Sequence, residues 1–321
     1  MPSRKQVALV VSVVTLLMIT GALLVLTASP AEDDSGRINV VATFYPLAYM
    51  AQELGGEKVK VSTLIPANAE VHSWSPSPSD ILEANQAIII LYNGAGLEPW
   101  VERDLLPSLD LQGKIVVNTT EGIHLLPAGE EGEHSEEPED GHEHGAHDPH
   151  TWISPYIARQ QALNIYEALL AADPGNSTYF ALRRDALLQR FDQMDSSYLT
   201  GLSDKERATV FVAHGAYGYL ADRYGFQQRS VIGISGDEQP SPTTIAELVD
   251  LMVSSQTYFV YLDPVFSDQY VNTLKESVEE ASGHPVTILK LYLMTGPLDG
   301  LDYFQQMQHN LDDLKLGLGA S

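Results

Sequence analysis

Short apolar segments that alternate with helix-forming segments are the feature that most constrains the fold of this chain. They occur in two series, 38–44, 59–66, 87–93 and 114–120 in the first half, and 208–213, 228–235, 258–263 and 285–291 in the second. Continuous apolar strands separated by helices are typical of parallel sheets covered on both faces. The sequence therefore predicts an α/β protein with two parallel-sheet lobes.

A long helix is predicted between the two series, over residues 176–204. Its apolar residues recur near helical spacing, at Leu182, Ala186, Phe191 and Met194. We expect this helix to join an N-terminal lobe, residues 38–175, to a C-terminal lobe, residues 205–321. A single stiff connector of this kind would permit less hinge motion than a pair of extended strands.

The N-terminus has the pattern of a targeting segment. Arg4 and Lys5 precede an uncharged apolar run over residues 7–27, which is long enough to span a bilayer. We expect residues 1–28 to be a membrane anchor, or a signal segment if cleaved, followed by a polar linker over 29–37. The rest of the chain would then lie outside the cytoplasm, either membrane-anchored or secreted or periplasmic.

Charge and cysteine content restrict the ligands. The formal net charge of −25 argues against nucleic acid, which requires Lys and Arg to neutralise phosphate. It fits cation binding, but simple solubility or life in high salt would explain it equally well. Because the chain has no cysteine, a metal site must use His, Asp, Glu and water.

Three histidines occur at comparable positions beside predicted strands and helices. His72 follows the second strand, His150 precedes a predicted helix start, and His214 directly follows the strand 208–213. Ligands favour the carboxyl edge of an open parallel sheet, and neutral imidazole is the commonest metal ligand in proteins. Three imidazoles that meet at one point describe a zinc-type site whose fourth position is left open.

The segments around these histidines resemble the zinc- and manganese-specific substrate-binding proteins of bacterial and archaeal ABC importers, the cluster A-I (cluster 9) family. The resemblance covers about residues 38–318 and includes YNGAGLEPW, YGYLADRYGF and GISGDEQPSPTTIAEL. It implies the helical-backbone metal-receptor fold, with the metal in the cleft between the lobes. It also implies that His72, His150 and His214 bind the metal, that the partner is an ABC permease, and that the protein is a monomer.

The fourth ligand stays open. Manganese-type members resemble one another in having an Asp just after the last strand, where this chain has Leu293, Met294 and Thr295. Water, a loop histidine, Glu70 or Asp263 are the alternatives. Three imidazoles without a carboxylate favour Zn²⁺ over Mn²⁺, which prefers oxygen ligands.

An acidic, histidine-rich segment over residues 128–148 interrupts the first lobe. It contains nine acidic residues, no Lys or Arg, and too few apolar residues to pack. We expect a loop that captures metal weakly and hands it over, with four candidate donors, His134, His142, His144 and His147. A solvated insert with incidental metal affinity is the alternative.

Three other functions compete with high-affinity zinc delivery. A manganese-binding homologue uses the same fold, and so does an adhesion or interaction module in which the metal is structural. A zinc hydrolase also uses three histidines and water, but the HExxH pattern is absent because Ala146 stands where its second His is needed. The sequence therefore favours a binding protein over an enzyme.

Overall fold

The computed structural model of this chain describes residues 36–128, 147–234 and 239–321. Its eight strands in these ranges are β1 Ile38–Ala42, β2 Val59–Thr63, β3 Ile89–Tyr92, β4 Ile115–Asn118, β5 Thr209–His214, β6 Gln227–Ile232, β7 Phe259–Leu262 and β8 Thr287–Lys290. The α-helices in the same ranges are α1 Tyr45–Gly55, α2 Pro78–Gln86, α3 Pro155–Ala172, α4 Ser177–Gly201, α5 Gly218–Tyr224, α6 Pro242–Ser254, α7 Gln269–Ser282 and α8 Tyr303–Leu318.

The strands form two parallel sheets of four. Their orders are β2-β1-β3-β4 and β6-β5-β7-β8, so the second sheet repeats the topology of the first. Every described strand pair is parallel, with registers such as Val40 beside Ile89 and Val260 beside Ile288. The predicted α/β fold with two parallel-sheet lobes is confirmed.

Helix starts and strand ends place the loops that carry the histidines. Ser77 and Asp80 form a capping box at the start of α2, with Pro78 at its first position, so the preceding loop ends at a fixed point. Pro155 likewise occupies the first turn of α3. The loops after β2, β4, β5, β7 and β8 therefore all leave from the carboxyl edges of the two sheets.

A helix, α4, spans the predicted linking segment, and its predicted apolar face is right in part: Phe191 is buried and Met194 packs against the core, but Leu182 and Ala186 are exposed. Leu182 is 69% exposed, whereas Phe180, Leu187, Phe191 and Tyr198 are buried. Residues 180, 187, 191 and 198 follow one stripe at spacings of seven, four and seven, which is the spacing of a single helix face. Contacts from both sides of the molecule, and not local periodicity, select this face.

One hydrophobic core runs through both lobes. Phe44 and Trp152 from the first lobe belong to the same cluster of buried residues as Tyr217, Tyr303 and Leu311 from the second. A smaller cluster, which includes Phe211, lies between the second sheet and α6 and α7. Both sheets belong to one compact unit, Arg37–Ser321. Because a shared apolar core resists separation, large hinge opening is disfavoured.

The N-terminal prediction cannot be compared with the fold. Residues 1–35, which include the whole predicted anchor and most of the predicted linker, lie outside the described residues. Within the part of the chain that is described, none of the helices combines the length and apolar character needed to cross a membrane.

Candidate metal centre

His214 is the last residue of β5 and is buried. Its backbone pairs in register with Ile232 of β6, which fixes where the side chain leaves the sheet. The ring Nδ1 lies 2.8 Å from the carbonyl oxygen of Gly233, the residue just after β6. A carbonyl can only accept, so Nδ1 carries the proton and Nε2 keeps its lone pair for a metal.

His150 lies before a single helical turn, Thr151–Ile153, and is 1% exposed. Asp148 holds it twice, because one carboxylate oxygen accepts from the backbone N–H at 2.9 Å and lies 2.8 Å from the ring Nδ1. Metal-binding histidines usually donate their second ring N–H to such a partner, which orients the ring and raises its basicity. Asp148 therefore directs Nε2 of His150 towards the cavity.

A buried polar network behind Pro149 holds the same loop from the other side. Asn93, just after β3, donates to the Pro149 carbonyl at 2.9 Å and accepts from Thr151 Oγ1 at 3.0 Å. Gln161 of α3 donates to the same Asn93 oxygen at 2.9 Å. These buried hydrogen bonds restrict the loop that carries His150 to one conformation.

His72 lies in the loop between β2 and α2 and is partly exposed. Glu70 shapes this loop, since one of its oxygens accepts from the His72 N–H at 3.0 Å and the other from the Ser73 N–H at 2.8 Å. Of the three histidines, His72 is therefore the one nearest to solvent.

The three Nε2 atoms converge on one point. Nε2 of His150 lies 3.1 Å from Nε2 of His72 and 3.2 Å from Nε2 of His214. One ligand atom from each residue lies within 4.8 Å of the others. Two nitrogens that bind one zinc ion at about 2.05 Å in tetrahedral geometry are about 3.3 Å apart. The spacing thus fits three corners of a zinc coordination tetrahedron.

Burial keeps two of these imidazoles neutral. It lowers the pKa of His150 well below its usual 6.5, and the nearby His72 lowers it further. Burial also lowers the pKa of His214, with contributions from His150 and His72. Because only neutral imidazole binds a metal, these residues are ready to bind without first losing a proton. Burial raises the pKa of the Asp148 carboxyl to about 7.

A small cavity lies beside the three rings. Its free volume is about 10 Å³, which is room for about one water-sized sphere. Both lobes contribute to its wall, which consists of Ala69, Glu70, Val71 and Trp152 from the first and Val265, Phe266, Leu293 and Thr295 from the second, together with the histidines. The site therefore lies between the carboxyl edges of the two sheets.

Neither carboxylate suggested as a fourth ligand joins the cluster of donor atoms. Glu70 lines the cavity, but both of its oxygens accept hydrogen bonds within its own loop. Asp263, just after β7, is buried and accepts from the backbone N–H groups of Val265, at 2.7 Å, and of Leu293. Both carboxylates shape the loops around the site, and within the described residues the donor cluster consists of the three histidines.

Most of the histidine-rich segment cannot be compared with the structure. His134, His142 and His144 lie outside the described residues. His147 is exposed, pairs with Pro127 through an isolated bridge, and is not part of the donor cluster. Their auxiliary role stays a prediction.

Sequence reasoning missed the residues that orient the histidines. Asp148 stands two residues before His150, and its carboxylate was a visible signal for a supporting acceptor. The Gly233 carbonyl gave no such signal, because main-chain acceptors are present at every residue. Trp152 lines the cavity, whereas Trp74, two residues after His72, packs against Trp100 with the two ring centres 4.7 Å apart.

Comparison with known proteins finds relatives whose names refer to zinc uptake or zinc binding. The high-affinity zinc uptake system protein ZnuA of Bacillus subtilis is 30% identical over 289 residues, which are 90% of each chain. The zinc-binding lipoprotein AdcA of Streptococcus pneumoniae is 31% identical over 92% of this chain, which spans 58% of that protein. The crystal structure of the Zn(II)-bound ZnuA-like domain of AdcA superposes with a TM-score of 0.73 at 27% identity, over 88% of this chain and 99% of that domain.

A family model described as the zinc-uptake complex component A, periplasmic, matches residues 40–317. That range includes all but the first two residues of the two sheets, the linking helix and all three histidines of the cluster. This chain therefore belongs to the ZnuA family of zinc-uptake proteins.

Proposed function

We propose that this protein binds Zn(II) outside the cytoplasm and delivers it to the permease of an ABC importer. The observation that carries the proposal is the convergence of three Nε2 atoms, from His72, His150 and His214, beside a cavity of single-ion size. The relatives named above, a zinc uptake protein and a zinc-binding lipoprotein, support the same cargo. The proposal contains no enzymatic step.

The donor set favours zinc over manganese. Zn²⁺ accepts four-coordinate sites rich in imidazole, whereas Mn²⁺ prefers oxygen ligands and higher coordination. The cluster of donors consists of nitrogens within the described residues, and the nearby carboxylates are engaged with backbone N–H groups.

Capture and release follow from where the three ligands are attached. His214 belongs to the second sheet, whereas His72 and His150 come from loops of the first. A relative shift of these loops breaks the tetrahedron without unfolding either lobe. Because the lobes share one core, we infer that release uses local movement of the partly exposed His72 loop more than a wide hinge opening.

Zinc titration of the full chain in mild detergent, against a competing chromophoric chelator, tests the binding step. We expect one tight zinc per chain, with manganese bound much more weakly. Replacing His72, His150 or His214 by Ala should weaken zinc binding by more than the roughly 10- to 100-fold typical of indirect contacts. Circular dichroism serves as the control for folding. Near-native affinity in all three variants would contradict the proposal.

A carrier is distinguished from a protein with structural zinc by removing the metal. A structural zinc is needed for folding, whereas a carrier must remain folded when it is empty. We expect the chelator-treated chain to keep its secondary structure and to bind zinc again. Uptake of radioactive zinc by cells that make the chain together with its permease, compared with cells that make His150→Ala, tests delivery. Equal uptake by both would contradict the transport role.

A further inference from the structure

The loop after β8 contributes Leu293 and Thr295 to the wall of the metal cavity. Of these two side chains, only that of Thr295 is polar. This residue lines the cavity and is 6% exposed. Among the described residues, no hydrogen-bond partner is found for its buried Oγ1. A buried hydroxyl without a partner costs free energy, so such groups are uncommon unless a ligand or water satisfies them.

The backbone around Thr295 is held at several points. The Thr295 carbonyl accepts from the Asn68 N–H at 3.2 Å, and the Gly296 carbonyl accepts from Gln306 Nε2 at 2.7 Å. On the other side, the Leu293 carbonyl accepts from Trp152 Nε1 at 2.7 Å. Bonds from both lobes therefore fix the loop and, with it, the position of the Thr295 side chain.

The backbone is strained at Met294, the residue before Thr295, which also indicates a functional loop. Met294 has φ of 58°, in the left-handed region that non-glycine residues seldom adopt. Strain of this kind persists only where the surroundings impose it, and it concentrates at functional sites. The fixed loop maintains a conformation that sets Thr295 at the cavity wall.

The other described side chains around the cavity, apart from the three histidines, offer no free hydrogen-bonding group. Val265, Phe266 and Leu293, which line the cavity from the same lobe as Thr295, carry no polar side-chain atoms, and Glu70 from the other lobe is engaged with its own loop. A three-histidine zinc ion needs a fourth ligand, and water is the usual one. Thr295 is thus the side chain on this wall that can hydrogen-bond to that water.

We propose that Thr295 Oγ1 donates a hydrogen bond to the water or hydroxide that completes the coordination of zinc, an inference that rests on the proposed function. Thr295 would then be a positioning residue, and zinc would be held by three neutral imidazoles and one exchangeable oxygen ligand. Because this ligand is not a protein carboxylate, it leaves with the ion. The arrangement also withholds from Mn²⁺ the anionic oxygen that it prefers.

The test replaces zinc by cobalt(II) in the full chain, because its visible spectrum reports coordination and ionisation of the bound water. Thr295→Val keeps the shape and removes the hydroxyl, and Thr295→Ser is the matched control that keeps it. Loss of one donor to the metal-bound hydroxide should make the water roughly three- to tenfold less acidic in Thr295→Val. Zinc affinity should fall by a similar factor, and Thr295→Ser should stay near wild type in both measurements.

X-ray absorption of the zinc forms separates the remaining outcomes. Four light-atom ligands in both wild type and Thr295→Val are expected, since the water stays. Loss of one ligand in Thr295→Val would show direct ligation by the hydroxyl and overturn the inference. Identical water acidity in Thr295→Val and wild type would also overturn it, while the zinc-binding function stands. Absence of tight zinc binding in the wild type itself would overturn the proposed function.

Discussion

Asp148 provides the sharpest test of how the site works, because its carboxylate supports His150 without belonging to the donor cluster. The change is Asp148→Asn, which keeps the size and one acceptor oxygen but removes the charge. Partners that orient a metal-binding histidine typically contribute 10- to 100-fold to metal affinity. We therefore expect zinc affinity to fall by about 10- to 100-fold in this variant at pH 8.

The effect should depend on pH, and the structure sets the range. Burial raises the pKa of Asp148 to about 7, so the metal-free protein loses this proton near neutral pH. At pH 8 about nine-tenths of the carboxyl groups are ionised, and at pH 6 about one-tenth. The advantage of wild type over Asp148→Asn should therefore shrink about tenfold between pH 8 and pH 6. Chelator competition at several pH values and fixed ionic strength measures this difference.

Glu98→Gln is the matched control. Glu98 is also buried, has a pKa raised to about 7 by burial, and accepts from Thr43 Oγ1 at 2.7 Å, but it does not touch the histidines. Its raised pKa contributes stability that is complete below about pH 4.5 and is lost as pH rises through 7. Glu98→Gln should therefore flatten the pH dependence of unfolding and lower zinc affinity much less than Asp148→Asn does, because Glu98 reaches the His150 loop only through Asn93. The reasoning is refuted if wild type and Asp148→Asn bind zinc equally well, or if the difference between their zinc affinities does not change with pH.

Three further predictions follow from the same contacts. At pH 5.5 three ordinary histidines would release about 2.7 protons on binding zinc. Because burial keeps His150 and His214 neutral, we expect fewer than two protons to be released. Calorimetry in buffers of different ionisation enthalpy measures this number. Gly218→Ala should weaken zinc binding measured by chelator competition, since an added Cβ would lie 2.4 Å from Asp148 Oδ2; wild-type affinity would show that the pair is not disturbed. Replacing residues 129–146 by a short Gly-Ser linker should keep the single tight zinc site and remove only weaker sites, because a backbone bridge already joins the flanking residues Pro127 and His147. Loss of the tight site in a zinc titration of this variant would contradict the prediction.

The sequence predicted the architecture because the responsible signals are local. The apolar strands between helices and the long helical segment between the two series of strands both follow from short-range rules. The three histidine contexts could be found for the same reason, since each lies at a strand end or helix start.

Partners that are distant in sequence could not be predicted in this way. Asp263 was a reasonable fourth ligand as an isolated carboxylate, but in the folded chain one of its oxygens accepts the backbone N–H of Leu293, which belongs to the loop after β8. The exposed Leu182 on α4 shows the same limit, because which face of a helix is buried depends on what packs against it.

The sequence by itself determined the fold class and which three histidines stand at the sheet edges. Only the tertiary structure decided that their Nε2 atoms meet within coordination distance, that Asp148 and the Gly233 carbonyl orient two of them, and that Thr295 forms the remaining wall. The physical reason is that strands and caps arise from neighbouring residues, whereas a metal centre arises from side chains on separate elements. Their distances, burial and pKa values exist only after both sheets have packed.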